Sequence, residues 1–259
     1  MAGEKYLVLG SCFATAIGEY LVQEGIETMV NPFGTLFNPV SIRQSIGRLS
    51  TGEPFTEDEC VMMGAGAGLW CSFSHYTRFA RPTKEEFLLN ANSSLRQASE
   101  FFKECNNILI TFGTAFCFKH IASGKTVSNC LKIPAREFER YRLTIKEIVD
   151  LYDPQKEENA CLRGKKITFT VSPIRHLADT LHGNNLSKSI LLLAEDEIVR
   201  KGAPSYSYFP SYEIMLDELR DYSHYAPDTV HPGEEAVKII CSRFIQNLQS
   251  ITCTLPSKG

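Results

Sequence analysis

The sequence predicts an α/β protein, a doubly wound three-layer α/β/α domain over residues 1–259 with a five-stranded parallel sheet. Three observations carry this expectation. Short apolar strands alternate with amphipathic helices along the chain. The strands read as continuous apolar runs, which is the pattern of strands buried on both faces. A chain of 259 residues that is 43% hydrophobic supports one full core rather than two.

Tyr6-Leu7-Val8-Leu9 reads as the first strand, and Phe13, Ile17 and Leu21 share one face of the helix that follows before Gly25 ends it. Residues 26–30 give a second strand. Asn31-Pro32-Phe33-Gly34 is then a loop, and Asn38-Pro39 opens a helix that turns Ile42, Ile46 and Leu49 inward. Residues 51–81 lose apolar periodicity and form an irregular excursion. Thr83 with Glu86 caps a long helix through Phe102, which leads into a strand at residues 108–112. A second, hairpin-like or irregular excursion covers residues 117–160 and includes a helix capped by Thr144 and Glu147. A strand at 167–171, a helix from about Asn185 to Arg200, a fifth strand at 206–209 and a last helix at 232–248 complete the pattern.

Net charge is −3 and the basic residues are scattered, so there is no footprint for nucleic acid and a small, neutral or modestly charged molecule is the expected partner. No apolar stretch approaches the roughly 18 residues of a spanning helix, and no membrane partner is expected. The N-terminus lacks the order of a signal peptide. Nine cysteines without a CxxC pair suggest neither a disulfide framework nor a zinc ribbon. A reducing cytoplasm is the expected setting, with no metal and no cofactor. Oligomeric state is not readable.

The chemistry-bearing motifs fall at strand ends. Gly10-Ser11-Cys12 places two small nucleophiles where the first strand turns into a helix, and Asp228-Thr229-Val230-His231 supplies an acid and a base. Ligands of doubly wound sheets collect at strand carboxyl ends. Cys12, Gly34, Gly113, His176 and the 228–231 turn therefore fall on one edge. Cys12 at a helix N-terminus near an imidazole gains thiolate character. Alternatively Cys12 is an ordinary buried thiol with Ser11 capping the helix, or Ser11 is itself the nucleophile. Asp228 and His231 admit a simpler reading as a helix-start turn. Arg175 and His176 end the fourth strand, where they bind substrate, with His176 as a second acid, or Arg175 pairs structurally. Cys71, His75 and nearby rings form an aromatic cluster, a substrate pocket that includes His75, or a lid.

Gly10-Ser11-Cys12-Phe13-Ala14, Asn31-Pro32-Phe33-Gly34-Thr35-Leu36, Thr111-Phe112-Gly113-Thr114-Ala115, Ser172-Pro173-Ile174-Arg175-His176 and Phe209-Pro210-Ser211-Tyr212-Glu213 together resemble the GSCFA family over most of the chain. That family in turn resembles the SGNH/GDSL hydrolase superfamily, which implies a flavodoxin-like sheet and an acyl hydrolase of the esterase or deacetylase type. Laying Gly10 on the glycine of the superfamily's Gly-Asp-Ser block puts Cys12 at its serine, while Asp228 and His231 match its Asp-x-x-His block. The resemblance also implies oxyanion donors at Gly34 and, in the third block, near Thr114, because Ala115 stands where that block has asparagine. The expected reaction is hydrolysis of a small ester or amide, such as an acetylated sugar. The alternatives are transfer of the acyl group through a thioester and a ligand-binding module without turnover.

Overall fold

The structure is a computed structural model and describes residues 3–253, with side chains through 248. Its centre is an all-parallel sheet of five strands: β1 (Lys5–Gly10), β2 (Glu27–Val30), β3 (Asn107–Phe112), β4 (Lys166–Val171) and β5 (Tyr206–Tyr208). The spatial order β2-β1-β3-β4-β5 reverses direction between β1 and β3, which opens a crevice at the carboxyl ends of those two strands. The predicted fold class is what the structure shows.

The apolar runs sort by alternation. Leu7, Leu9, Ile108, Ile110, Ile167 and Phe169 pack on one face of the sheet, and Tyr6, Val8 and Leu109 on the other. The first face is covered by α2 (Pro39–Thr51), α3 (Lys84–Glu104), α4 (Ile145–Tyr152) and α5 (Thr180–Gly202). The second is covered by α1 (Cys12–Gln23) and α6 (Glu234–Cys253), which contribute Phe13, Ile17, Leu21, Ile240 and Phe244. Each fully buried Leu or Ile contributes roughly 1.5–3 kcal/mol, so both faces are needed to hold the sheet.

The expected elements appear with shifted ends. α5 begins at Thr180 rather than near Asn185, because its first turns hold Gly183, Asn184 and Lys188, whose low propensity or polarity hides the pattern until tertiary bonds are counted. α6 begins at Glu234 because Pro232 pairs with Tyr225 as a β-bridge and Gly233 donates to the His224 carbonyl. The 51–81 excursion contains a two-residue hairpin, Val61–Met62 against Trp70–Cys71. The second excursion holds a three-stranded antiparallel sheet, with Phe116–His120 between Thr126–Val127 and Phe138–Arg142. Among the described residues no helix is long and apolar enough to cross a membrane.

Candidate active site

The site grows from the turn between β1 and α1. Gly10 pairs with Thr111 across the β1–β3 ladder at φ +142, and a Cβ built there would lie 2.2 Å from the Thr111 carbonyl oxygen. Only glycine fits both the angle and the approach. Asn31, at the end of β2, locks the turn: its Oδ1 accepts from the Gly10 N–H at 2.8 Å, and its Nδ2 donates to Thr15 Oγ1 at 2.9 Å. This role of Asn31 is not visible in the sequence, where it looks like loop punctuation.

The two candidate nucleophiles are treated differently by this turn. Ser11 is 1% exposed, and its Oγ is sealed without a hydrogen-bond partner although it precedes the helix. Cys12 is half-buried as the first residue of α1. Burial pushes the Cys12 thiol above its ordinary value and outweighs the lowering effect of its own N–H, that of Phe13 and the charge of Lys188, so the thiolate character expected of a helix N-terminus is not gained in the free protein. The first-turn N–H groups have no acceptor within the helix, so they remain free for a charge beside the sulfur.

Asp228 and His231 meet within their own turn. His231 Nδ1 lies 2.6 Å from Asp228 Oδ2, and the other carboxylate oxygen accepts from the N–H groups of Val230 and His231 at 2.9 and 3.0 Å. Those two backbone donors, together with the ring, hold the Asp228 carboxyl down to about 2. Arg175 ties this loop to the end of β4. Its N–H donates to the Val230 carbonyl, its guanidinium reaches the Thr229 carbonyl at 3.4 Å, and it stacks 4.2 Å over the Tyr225 ring. Arg175 is thus engaged in structure at the place where substrate binding is expected. No hydrogen bond joins Cys12 to His231 among the described residues.

His176 connects the parts. Its ring lines a cavity of roughly 660 Å³ shared with Phe37, Asn38, Thr114, Phe116 and Arg140. Burial, followed by the charges of Lys188, His231 and Arg140, draws it down to about 4, so it is neutral near pH 7 and is no second acid there. Arg140, on the antiparallel excursion, pairs with Asp179 in the turn after His176, and both line the cavity.

Three expectations are corrected by the hydrogen bonding. The Gly34 N–H donates to Asn31 O at 2.8 Å, so it is not a free oxyanion donor; this glycine, at φ +87, serves instead the close passage of Tyr76. The Thr114 N–H is bound to Phe37 O at 2.9 Å, and its hydroxyl lies 3.1 Å from Ser187 Oγ while accepting from Phe116 N–H. His75 is fully buried among Phe33, Phe55, Phe79 and Phe87 with Nδ1 at 2.7 Å from Ser72 Oγ, and burial lowers it to about 3. It is a neutral core residue, which is the aromatic-cluster alternative.

Sequence reasoning also missed the inner face of α5. Asn184 Oδ1 accepts from the His176 N–H, Ser187 Oγ accepts from the Ala115 N–H at 2.8 Å, and Lys188 Nζ donates to the Gly113 and Ser172 carbonyls, each at 2.7 Å. The only sequence signal was polar residues at positions where a buried helix face calls for apolar ones. A search of the curated proteins found no match to this chain. The GSCFA family model matches residues 5–244, which takes in the Gly10–Cys12 turn, Lys188 and the Asp228–His231 loop, and the chain belongs to the GSCFA family.

Proposed function

We propose that this chain is an acyl-group hydrolase of SGNH-like design, acting on a small ester or amide through Cys12 and His231. The observation that carries the reading is the Asp228–His231 contact of 2.6 Å on a loop fastened by Arg175 to the carboxyl end of β4, the same sheet edge on which Cys12 opens α1. Asp228 holds Nδ1 and leaves Nε2 as the base. His231 takes the thiol proton as the sulfur attacks the acyl carbonyl carbon. The tetrahedral intermediate collapses with the proton returned to the leaving alcohol or amine, and a thioester remains. Water, deprotonated by the same imidazole, then attacks the thioester, releasing the acid and restoring the thiol. The N–H groups of Cys12 and Phe13, which lie beside the sulfur, turn to the oxyanion once the sulfur is acylated, in place of the engaged amides of Gly34 and Thr114. Since no bond joins sulfur and imidazole in the free protein, the reading requires the exposed His231 loop to close on bound substrate.

A second reading, a binding module on the same fold, is favoured by one observation: the backbone N–H groups of Gly34, Gly113 and Thr114 are all spent on internal bonds. Turnover of p-nitrophenyl acetate, followed together with iodoacetamide labelling mapped by mass spectrometry, separates the two. Cys12→Ala is expected to remove burst and turnover by at least about 100-fold, a scale set by loss of a covalent nucleophile. Ser11→Ala, which deletes a buried hydroxyl without a partner, is expected to leave both near wild type. The reverse pattern moves the nucleophile to Ser11. Absence of burst, turnover and any selectively labelled thiol in the wild type favours the binding module.

A further inference from the structure

The two irregular excursions, residues 51–81 and 117–160, meet beside α2 and enclose a cavity of roughly 510 Å³ that the catalytic reading does not use. It is separate from the cavity at His176. Successive residues of a strand point to opposite faces, and Thr126 lines this cavity while Val127 lines the other. The strand Thr126–Val127 is therefore a partition, and Ser128 at its end touches both spaces.

The charges around this cavity cancel. Arg48 is a fastened wall: it pairs with Glu59, donates to the Glu53 and Pro54 carbonyls and stacks 4.4 Å over the Phe55 ring. Of the other lining residues, Lys125 carries a positive charge and Asp58 a negative one, neither in an ion pair among the described residues. The His120 ring lies 4.8 Å from Phe73, with Nδ1 3.0 Å from Ser123 Oγ. A site balanced in this way favours neither an anion nor a cation.

What the walls offer instead is unpaired hydroxyls. Ser45 lies on the buried face of α2 at 4% exposure and lines the cavity, yet its hydroxyl makes no hydrogen bond among the described residues. Such a hydroxyl costs free energy that a bound partner restores. The half-buried Ser74 and Ser128 add two more hydroxyls without partners among the described residues, and the exposed Gln44 adds a carboxamide. Hydroxyl and carboxamide both donate and accept, so the ligand that matches them carries hydroxyls of its own. The rings of Phe55 and Phe73 supply apolar wall, as in ligand pockets generally. A ring with C–H faces and a hydroxyl rim meets both requirements. We propose that this cavity is a second binding site, for a neutral saccharide unit, with Ser45, Ser74, Ser128 and Gln44 as its hydrogen-bonding partners. The site goes beyond the hydrolase reading and does not rest on it.

The test is an amide NMR titration of the full chain with glucose, galactose, mannose, N-acetylglucosamine and maltose, and with glucuronate and glucosamine as charged probes. At least one neutral sugar is expected to bind saturably, with a dissociation constant on the order of 1 mM, and to move the amides of Ser45 and Ser74. The charged probes are expected to bind at least about tenfold more weakly than the best neutral sugar, because their charge is desolvated without a free partner of its own. Ser45→Leu fills the cavity from α2 and is expected to weaken the best sugar by at least about tenfold. Ser74→Leu, at a half-buried loop position, serves the same purpose should Ser45→Leu not fold. The proposal is overturned when no neutral sugar moves the Ser45 and Ser74 amides, when charged and neutral sugars bind alike, or when a folded variant binds like wild type. A sugar that moves only the Phe118 and His176 amides lies in the other cavity and overturns it as well. No readout needs turnover, so loss of ester hydrolysis in Cys12→Ala bears on the hydrolase reading alone.

Discussion

At the scale of single residues, the first turn shows how little separates an accessible thiol from a sealed hydroxyl. Ser11 and Cys12 are adjacent and chemically alike, yet the extended Ser11 backbone turns its hydroxyl into the sheet edge while Cys12 starts the helix and keeps solvent access. Gly10 makes this possible. Gly10→Ala would place a Cβ 2.2 Å from Thr111 O at a φ that L residues rarely adopt, so either the β1–β3 ladder or the turn must give. The expected cost is about 2–4 kcal/mol in urea denaturation, and a wild-type midpoint would refute it. Gly10, Cys12, Asp228 and His231 were all legible in the sequence because each sits in a short motif with local meaning. His75 was legible as one member of an aromatic cluster, but a Cys-x-x-x-His spacing left the substrate-pocket reading open because it does not say that four phenylalanines will surround the ring.

At the scale of elements, α5 organises the site without contributing to any motif. Its residues Asn184, Ser187 and Lys188 bond the chain just beyond β3 and β4, so the strand ends are fixed from the helix side. Ser187→Ala would leave the buried Ala115 N–H without an acceptor and Thr114 Oγ1 without its neighbour. A loss of about 1–3 kcal/mol is expected in thermal or chemical unfolding, and an unchanged stability would show that water replaces the hydroxyl. The helix start was misplaced by sequence reasoning for the same reason. Gly183 and the polar run after it argue against a helix locally, and only the bonds to the sheet outweigh that preference.

At the scale of the whole molecule, Glu195 makes folding pH-dependent. Burial raises its carboxyl well above the ordinary range in the folded protein, whereas in the unfolded chain it ionises at the ordinary carboxylate pKa. Below that value both states carry the proton and the group is neutral in effect. As pH rises above it only the unfolded chain releases the proton, so stability falls with rising pH until the raised folded pKa is reached. Glu195→Met is expected to stabilise by about 1–3 kcal/mol through removal of an unpartnered buried polar group. The gain in melting temperature should be larger at pH 8 than at pH 4. An equal or smaller gain at pH 8 would place the ionised carboxylate in the folded core.

The sequence by itself determined the order of strands and helices, the parallel sheet and the motifs at its carboxyl edge, because alternation, apolar runs and capping residues act over a few positions. Only the tertiary structure decided which donors stay free and where charge is buried. Gly34 spends its N–H on Asn31 O and Thr114 its own on Phe37 O, and Lys188 meets the Gly113 and Ser172 carbonyls from another element. Hydrogen-bond availability and desolvation depend on what surrounds a group in space, and no local pattern in the chain records that.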